Sequence, residues 1–91
     1  MSRVELECSL EERCVQRVEE MGGLALKLQI PGVRGFPDRT IMFGRRIFFV
    51  EFKRSKGGKI STQQTRWAER LRKAGFAVHF IDDETEFEHI L

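Results

Sequence analysis

Two acidic residues and a lysine near the middle of the chain have types and a spacing that could support metal-ion chemistry. Glu51 and Lys53 lie two residues apart in a predicted β-strand, so their side chains project from the same face. If Gly44-Arg45 forms a two-residue turn, Asp38 lies directly opposite Glu51, with Cβ atoms about 5 Å apart. Two carboxylates at this distance repel each other unless a cation binds between them.

A divalent cation between Asp38 and Glu51 would remove this repulsion. Carboxylate oxygens are hard ligands that suit Mg²⁺ or Mn²⁺, and the sequence has no His or Cys cluster that would indicate zinc. Lys53, beside such an ion, could stabilise negative charge or position an attacking water. The alternative is an ordinary Glu–Lys pair on a solvated strand, with Asp38 as a turn residue, because Glu-x-Lys triplets are common.

The elements that would position these residues follow from hydrophobic spacing and from glycine. Apolar residues at three- to four-residue steps predict a helix over 3–21, and Gly22-Gly23 would end it. Glycine at the first position of Gly44-Arg45 is typical of a type II′ hairpin turn. The apolar run 47–50 predicts a strand that is buried on both faces. Around a loop at 31–37, we expect strands over 24–30, 38–43 and 46–54.

The second half of the chain predicts a helix, a strand and a short closing helix. Ser61 is suited to cap a helix that runs to about Ala74, where Gly75 ends it. The alternating run 76–81 predicts a strand, and 84–91 could form the closing helix. A helix between the third and fourth strands implies a crossover connection. We therefore expect an α/β fold (α+β in some classifications), with a mixed β-sheet flanked by helices in the order αβββαβ(α).

Charge is distributed unevenly along the chain, although the net charge of the 91 residues is only +2. Residues 1–32 carry a net charge of −2, residues 33–73 carry +9, and residues 74–91 carry −5. The basic segment is a candidate surface for a polyanion such as nucleic acid. The alternative is a solvated charged surface that the acidic ends balance.

Length and composition exclude several classes of protein. A chain of 91 residues suits a single domain, residues 1–91, and a hydrophobic content of 41% argues against disorder. No apolar run reaches the about 18–20 residues that span a bilayer, and the N-terminal segment lacks the pattern of a signal peptide. Cys8 and Cys14 fall on different faces of the predicted helix, so we expect reduced cysteines in a cytoplasmic protein.

Several stretches of the sequence, in order, resemble a known nuclease family. Pro37-Asp38 followed by Glu51-Phe52-Lys53 is similar to the PD-(D/E)XK nuclease signature. The flanking sequence narrows the resemblance to a stand-alone VRR-NUC domain. The resemblance covers about residues 7–83. The stretches that carry it are residues 22–27, 35–39, 49–53 and 57–64. Such domains occur in phages and bacteria, a related module belongs to a eukaryotic DNA-repair enzyme, and the implied fold is a restriction-endonuclease-like core.

The resemblance implies a role for each residue of the central motif. Asp38 and Glu51 would be metal ligands, together with the backbone carbonyl of Phe52, and Lys53 would be the catalytic lysine. Gln64 would point toward the same site from the second helix. The implied cofactor is Mg²⁺ or Mn²⁺.

An acid of the first helix would complete the metal site in such a domain. The family places a Glu eleven residues before the glycine pair, and Glu11 fits because Gly22 lies eleven residues further on. Glu7 and Glu12 are the alternatives. Glu7 and Glu11 are one helical turn apart, so both could approach the site.

The resemblance also implies an activity and partners. A metal-dependent endonuclease would cut DNA, with branched structures such as four-way (Holliday) junctions as substrates, and it would act as a homodimer. The alternative function is a non-catalytic DNA-binding or interaction module that retains the nuclease fold. Candidate DNA contacts, each of which could instead be an ordinary solvated side chain, are Arg34, Lys56, Lys59 and Arg66.

Overall fold

Helices cover both faces of a four-stranded sheet in the computed structural model, which describes residues 9–53 and 59–91. The elements of these residues are α1 (Leu10–Glu20), β1 (Leu24–Leu26), β2 (Arg39–Phe43), β3 (Arg46–Phe52), α2 (Thr62–Lys73), β4 (Ala77–Ile81) and α3 (Glu84–Ile90). This order confirms the predicted α/β fold. None of the helices in these residues is long and apolar enough to cross a membrane.

The sheet is mixed because one of its strand pairs is parallel. The strand order is β1-β2-β3-β4, in which β1 and β2, and β2 and β3, pair antiparallel. Strands β3 and β4 pair parallel, and α2 makes the crossover between them. The predicted crossover is therefore confirmed, and it brings the ends of β3 and β4 to the same edge of the sheet.

The β2–β3 hairpin has the predicted register but a different turn. Phe43 pairs with Arg46, which confirms the two-residue connection. Gly44 and Arg45 have φ angles of 58° and 66°, so the turn is type I′ and the type II′ prediction is wrong. A first-position glycine suits both turns, and the sequence did not reveal that Arg45 adopts the left-handed conformation as well.

Helix α1 begins at Leu10 rather than continuing from residue 3. Ser9 has an extended conformation, with φ −69° and ψ 160°, and its hydroxyl accepts a hydrogen bond from the Glu12 N–H at 3.1 Å. The Glu12 carboxylate accepts from the Ser9 N–H in return, at 3.5 Å, which completes a capping box. The prediction of one helix through this position was wrong, although Ser-x-x-Glu is a readable signal. Residues 3–8 lie outside the described residues. At the other end, Gly22 has a φ of 86° and ends the helix as predicted.

Strand β1 is shorter than predicted because its partner is short. Leu26 pairs with Thr40, one step from the first residue of β2, Arg39. Beyond that step no strand within residues 9–53 and 59–91 pairs with β1, so Leu28 and Ile30 remain outside the sheet and exposed. The predicted strand over 24–30 therefore ends at residue 26.

Apolar side chains pack on both faces of the sheet. One cluster lies under α1 and α3 and includes Val18, Ile41, Val50 and Phe87. The other lies under α2 and consists of Phe49, Ala68 and Val78. The predicted burial of the run 47–50 is confirmed except at Ile47, which is 44% exposed.

Cys14 lies inside the first of these clusters. Its thiol is free, and burial raises its pKa to about 12, helped by the charge of Glu84. A thiol in this environment is unreactive at neutral pH. Cys8 lies outside the described residues.

Candidate active site

A cleft of about 860 Å³ opens where β2 begins and β3 ends, beside the first turns of α1 and α2. The acidic residues that line it are Glu11, Asp38 and Glu51. Phe52, Lys53 and Gln64 line it as well. The fold thus brings the residues of the central motif together with the first-helix acid and the second-helix amide.

The carboxylates of Asp38 and Glu51 each accept a hydrogen bond from the backbone of the other residue's segment. The Asp38 N–H donates to Glu51 Oε1 at 3.1 Å, and the Phe52 N–H donates to Asp38 Oδ2 at 2.9 Å. The two carboxylates lie side by side as predicted, because Asp38 directly precedes β2 and Glu51 directly follows Val50, the β3 partner of Arg39. Each carboxylate therefore has one defined orientation, with lone pairs left for another ligand.

The electrostatics of this pair favour protonation or a bound cation. Glu51 is only 6% exposed, and burial followed by the charge of Asp38 raises its pKa to about 7. The bonds from the Asp38 N–H and from Gln64 oppose this rise. Burial also raises the pKa of Asp38, to which the charge of Glu11 contributes, while the bond from the Phe52 N–H opposes it. Acids whose pKa values are raised in an open cleft are typical of functional sites.

Gln64 reaches Glu51 from the first turn of α2. The Ser61 hydroxyl accepts from the Gln64 N–H at 3.1 Å, and Gln64 Oε1 accepts from the Ser61 N–H at 2.8 Å. With its oxygen held in this capping box, Gln64 Nε2 donates to Glu51 Oε2. Gln64 therefore lies where the sequence placed it, and the cap of the helix fixes its side chain.

A glycine holds the first turn of α2 close to the chain that enters β2. Gly35 has a φ of 84°, and a Cβ atom there would lie 2.6 Å from the Gln63 carbonyl carbon and 2.7 Å from the Gln64 nitrogen. Next to it, the Phe36 ring packs edge-on against Phe49, with ring centroids 5.7 Å apart. Only glycine fits this contact, which sets the distance from Gln64 to the carboxylates.

Lys53 directly follows β3, and its acidic neighbour, Asp82, directly follows β4. Its ammonium is 3.7 Å from Asp82 Oδ2, and its N–H donates to the Ile81 carbonyl at 2.8 Å. Sequence reasoning missed Asp82, because the pairing depends on the register of two strands that a helix separates. No local signal in the sequence sets that register.

Glu11 approaches the site from α1 and is held by Arg39. Glu11 Oε2 accepts from Arg39 Nε at 2.7 Å, and Arg39 Nη1 donates to the Ala25 carbonyl at 3.1 Å. Sequence reasoning missed this role of Arg39, because the contact depends on how α1 packs against β2. Of the two alternative acids, Glu12 is exposed and bonds to Ser9 in the α1 cap, whereas Glu7 lies outside the described residues.

The donor set fits a hard divalent cation through the carboxylate pair. Across residues 9–53 and 59–91, no three His, Cys, Asp or Glu side chains converge into one group that could hold a metal. Mg²⁺ is usually bound by one or two carboxylates together with waters and substrate oxygens, so Asp38 and Glu51 meet its requirement. Glu51 is buried and Asp38 is half-buried, both have raised pKa values, and a cation would compensate their charges.

The predicted DNA contacts divide into two groups. Lys59 lines the cleft and is exposed, whereas Arg34 and Arg66 are exposed outside it. Lys56 lies outside the described residues. Lys27, which sequence reasoning did not single out for this role, also lines the cleft, and its charge lowers the pKa of Asp38.

Comparisons with known proteins decide the family. A protein of Acyrthosiphon pisum secondary endosymbiont phage 1, named "Putative nuclease p44", is 38% identical over 79 residues, which cover 86% of this chain and 84% of the phage protein. A solved structure described as a VRR_NUC domain matches with a TM-score of 0.81 and 32% sequence identity. That match covers 89% of this chain and 88% of the other. The chain belongs to the VRR-NUC family.

Membership of the VRR-NUC family confirms the resemblance found in the sequence. It makes the chain a nuclease domain. Nucleases of this fold in general use a divalent metal. No family model matches the chain. The VRR-NUC assignment therefore depends on the phage relative and the solved structure, which cover nearly the same share of the chain.

Proposed function

We propose that this VRR-NUC domain is a DNA endonuclease that uses Mg²⁺ or Mn²⁺ bound between Asp38 and Glu51. The observation that carries the proposal is a buried carboxylate, Glu51, beside a half-buried one, Asp38, both with raised pKa values and each fixed by a backbone hydrogen bond, in an open cleft. We take residues 1–91 as one catalytic domain that acts in the cytoplasm of a bacterial or phage-infected cell.

Four groups would hold the cation. They are the carboxylates of Glu11, Asp38 and Glu51 and the backbone carbonyl of Phe52. When bound, the ion supplies Lewis acidity to the scissile phosphodiester. Within residues 9–53 and 59–91 the three carboxylates do not converge, so Glu11 would join Asp38 and Glu51 by turning toward the cation while it keeps one oxygen on Arg39.

Lys53 and Gln64 would act beside the carboxylates. The Lys53 ammonium would donate a hydrogen bond to the phosphate oxygen on which negative charge increases in the transition state. Gln64 would hold Glu51 through its Nε2 donor, so that the carboxylate keeps the same orientation before and during the reaction. These are roles of position and charge, which suit phosphodiester hydrolysis.

Basic side chains around the cleft would bind the DNA backbone. Lys59 lies at the cleft, and we propose that Lys56, Arg34 and Arg66 extend the contact along the phosphates. Such contacts are independent of base sequence and weaken as salt concentration rises. The net charge of +9 over residues 33–73 supports this assignment.

We further propose that the substrate is branched DNA, such as a four-way junction, and that the enzyme acts as a homodimer. Symmetric cleavage of two strands requires two active sites. Leu24, Leu26, Leu28 and Ile30 expose their side chains at alternate positions along β1 and beyond it, and this apolar surface suits burial against a second copy. A sizing column on the protein alone should therefore give a dimer, and a species of 10.6 kDa would count against the proposal.

The test of the function is cleavage of a four-way junction, a flap and a linear duplex with Mg²⁺, Mn²⁺ or EDTA. We expect cleavage with a metal and none with EDTA, and we expect Lys53→Ala and Asp38→Asn to be inactive. If the wild-type protein leaves every substrate intact with both metals, or if the two variants cut equally well, the endonuclease proposal fails. DNA binding without cleavage would then favour the non-catalytic module.

A further inference from the structure

The ion pair between Lys53 and Asp82 follows from the parallel pairing of β3 and β4. Phe52 and Ile81 form the last pair of the two strands, and Lys53 and Asp82 are the residues that follow them. Neighbouring residues in register on parallel strands project from the same face, so the two side chains point together beyond the sheet edge. Both are largely shielded from solvent, with side-chain exposures of 22% for Lys53 and 14% for Asp82.

Lysine needs such a partner if its ammonium is to occupy one place. Its side chain has four methylene carbons joined by rotatable bonds, and it loses more conformational entropy on ordering than most side chains do. The backbone of Lys53 is fixed by its bond to the Ile81 carbonyl, but that bond leaves the side chain free to rotate. The Asp82 carboxylate at 3.7 Å attracts the ammonium as an ion pair, which limits this rotation and leaves the ammonium N–H donors for a phosphate.

Asp82 is separated from the proposed metal ligands. It does not line the cleft, whereas Asp38, Glu51 and Lys53 do. The next residue, Asp83, has a different role, because its carboxylate accepts from the Thr85 N–H at 2.6 Å and caps α3. The observed contact of Asp82 is therefore directed at Lys53 and not at a substrate.

We propose that Asp82 is a positioning residue for the reaction: its carboxylate holds the Lys53 ammonium at the end of β3, where the scissile phosphate binds. The inference rests on the proposed role of Lys53. It adds to the family motif a fourth acid, which acts through the lysine rather than through the cation.

Asp82→Asn tests the inference, because it keeps the size of the side chain and removes its charge. Glu86→Gln is the matched control, since it removes one carboxylate charge from an exposed position of α3. Three quantities would be measured for each protein: the single-turnover cleavage rate with Mg²⁺ on the best DNA substrate, the Kd for that DNA with Ca²⁺ replacing Mg²⁺, and the melting temperature. Asp82→Glu would be included because it restores the charge with a longer side chain.

We expect Asp82→Asn to cut about tenfold to hundredfold more slowly, as misplacement of a reacting group predicts. Its Kd for DNA should stay within about twofold of the wild-type value, because Asp82 does not touch substrate. Asp82→Glu should recover part of the rate, and Glu86→Gln should cut like the wild type.

Three results would overturn the inference: a wild-type rate in Asp82→Asn, an equal loss in Glu86→Gln, or a rate loss matched by the loss of DNA affinity. If Asp82→Asn does not fold, Asp82→Ala decides, with a rate at least about threefold below wild type expected at an unchanged melting temperature. A wild-type rate there would overturn it. Loss of activity in Lys53→Ala with full activity in Asp82→Asn would leave the proposed function standing and remove only this inference.

Discussion

Helices α1 and α2 begin with the same capping motif, yet only one of the two caps contacts the carboxylate pair among the described residues. In α1, Ser9 and Glu12 bond to each other at an exposed helix end. In α2, Ser61 and Gln64 do the same, and Gln64 also donates to Glu51. Both first turns lie beside the same cleft, so the difference arises from the third residue of each helix.

The position and the type of that residue both contribute to the difference, because Glu12 is exposed and does not line the cleft, whereas Gln64 does. A carboxylate only accepts hydrogen bonds, so Glu12 can complete its cap but cannot donate to another acid. An amide has an acceptor and two donors, so Gln64 completes the cap with Oε1 and holds Glu51 with Nε2. A helix cap can thus serve an acidic site when its third residue is Gln rather than Glu.

Removing the charge of Glu51, the carboxylate to which Gln64 donates, should have the largest effect on the cleavage rate. Glu51→Gln is expected to slow cleavage at least about a thousandfold, because it removes a metal ligand and its charge. Single-turnover assays with Mg²⁺ and Mn²⁺ would measure this, with Glu69→Gln on the exposed face of α2 as the control. Cleavage within tenfold of the wild-type rate would contradict the role of Glu51.

The same carboxylate should make stability depend on pH in metal-free buffer. Its pKa is raised from 4.5 to about 7, so the folded state binds the proton more tightly than the unfolded state. The free energy of unfolding should therefore fall as pH rises from about 4.5 to about 7, by up to about 3 kcal/mol.

Urea unfolding across this pH range would measure the fall as the difference between wild type and Glu51→Gln. The difference should shrink when saturating Mg²⁺ or Mn²⁺ is added above pH 7, because a cation replaces the proton. Parallel curves for the two proteins would show that Glu51 does not titrate abnormally.

Exchanging the third residues of the two caps should separate their roles. Gln64→Glu keeps an acceptor for the Ser61 N–H but places a carboxylate against Glu51, so cleavage should slow about tenfold to hundredfold. The reciprocal change, Glu12→Gln, should leave the rate within about twofold, since Glu12 is exposed. Equal effects of the two changes on the rate would remove the distinction between the caps.

Deleting the cap hydroxyls should have the smallest effect. Ser9→Ala and Ser61→Ala should each lower the free energy of unfolding by about 1 kcal/mol, because each leaves a helix N–H without its acceptor. Ser61→Ala should in addition slow cleavage a few-fold, since Gln64 loses part of its support. A comparable slowing in Ser9→Ala would show that both caps influence the site through stability alone.

Local rules predicted most of the elements and the register that brings Asp38 to Glu51. A two-residue turn fixes the pairing of its strands, so Gly44-Arg45 was sufficient even though the turn type was wrong. The Ser61 cap, with the Gln three residues later, likewise placed Gln64 on the first turn of α2. Features that depend on sequence neighbours could therefore be predicted.

Contacts between distant parts of the chain could not be predicted. The pairs Arg39–Glu11 and Lys53–Asp82 depend on how α1 and β4 lie against the hairpin, which no spacing in the sequence specifies. The early end of β1 has the same origin, because Leu28 and Ile30 alternate like strand residues but meet no partner strand. Arg39 holds Glu11 beside the central motif, and Asp82 contacts Lys53 within it.

The most direct test of the central claim is calorimetric titration of Mn²⁺ and Mg²⁺ into the wild-type protein, Asp38→Asn and Glu51→Gln at pH 7. We predict binding to the wild type with release of a fraction of a proton, because Glu51 with a pKa of about 7 is partly protonated at that pH. Neither variant should bind the metal at comparable concentrations. Undiminished binding in both variants would show that the cation does not lie between Asp38 and Glu51, and would contradict the account.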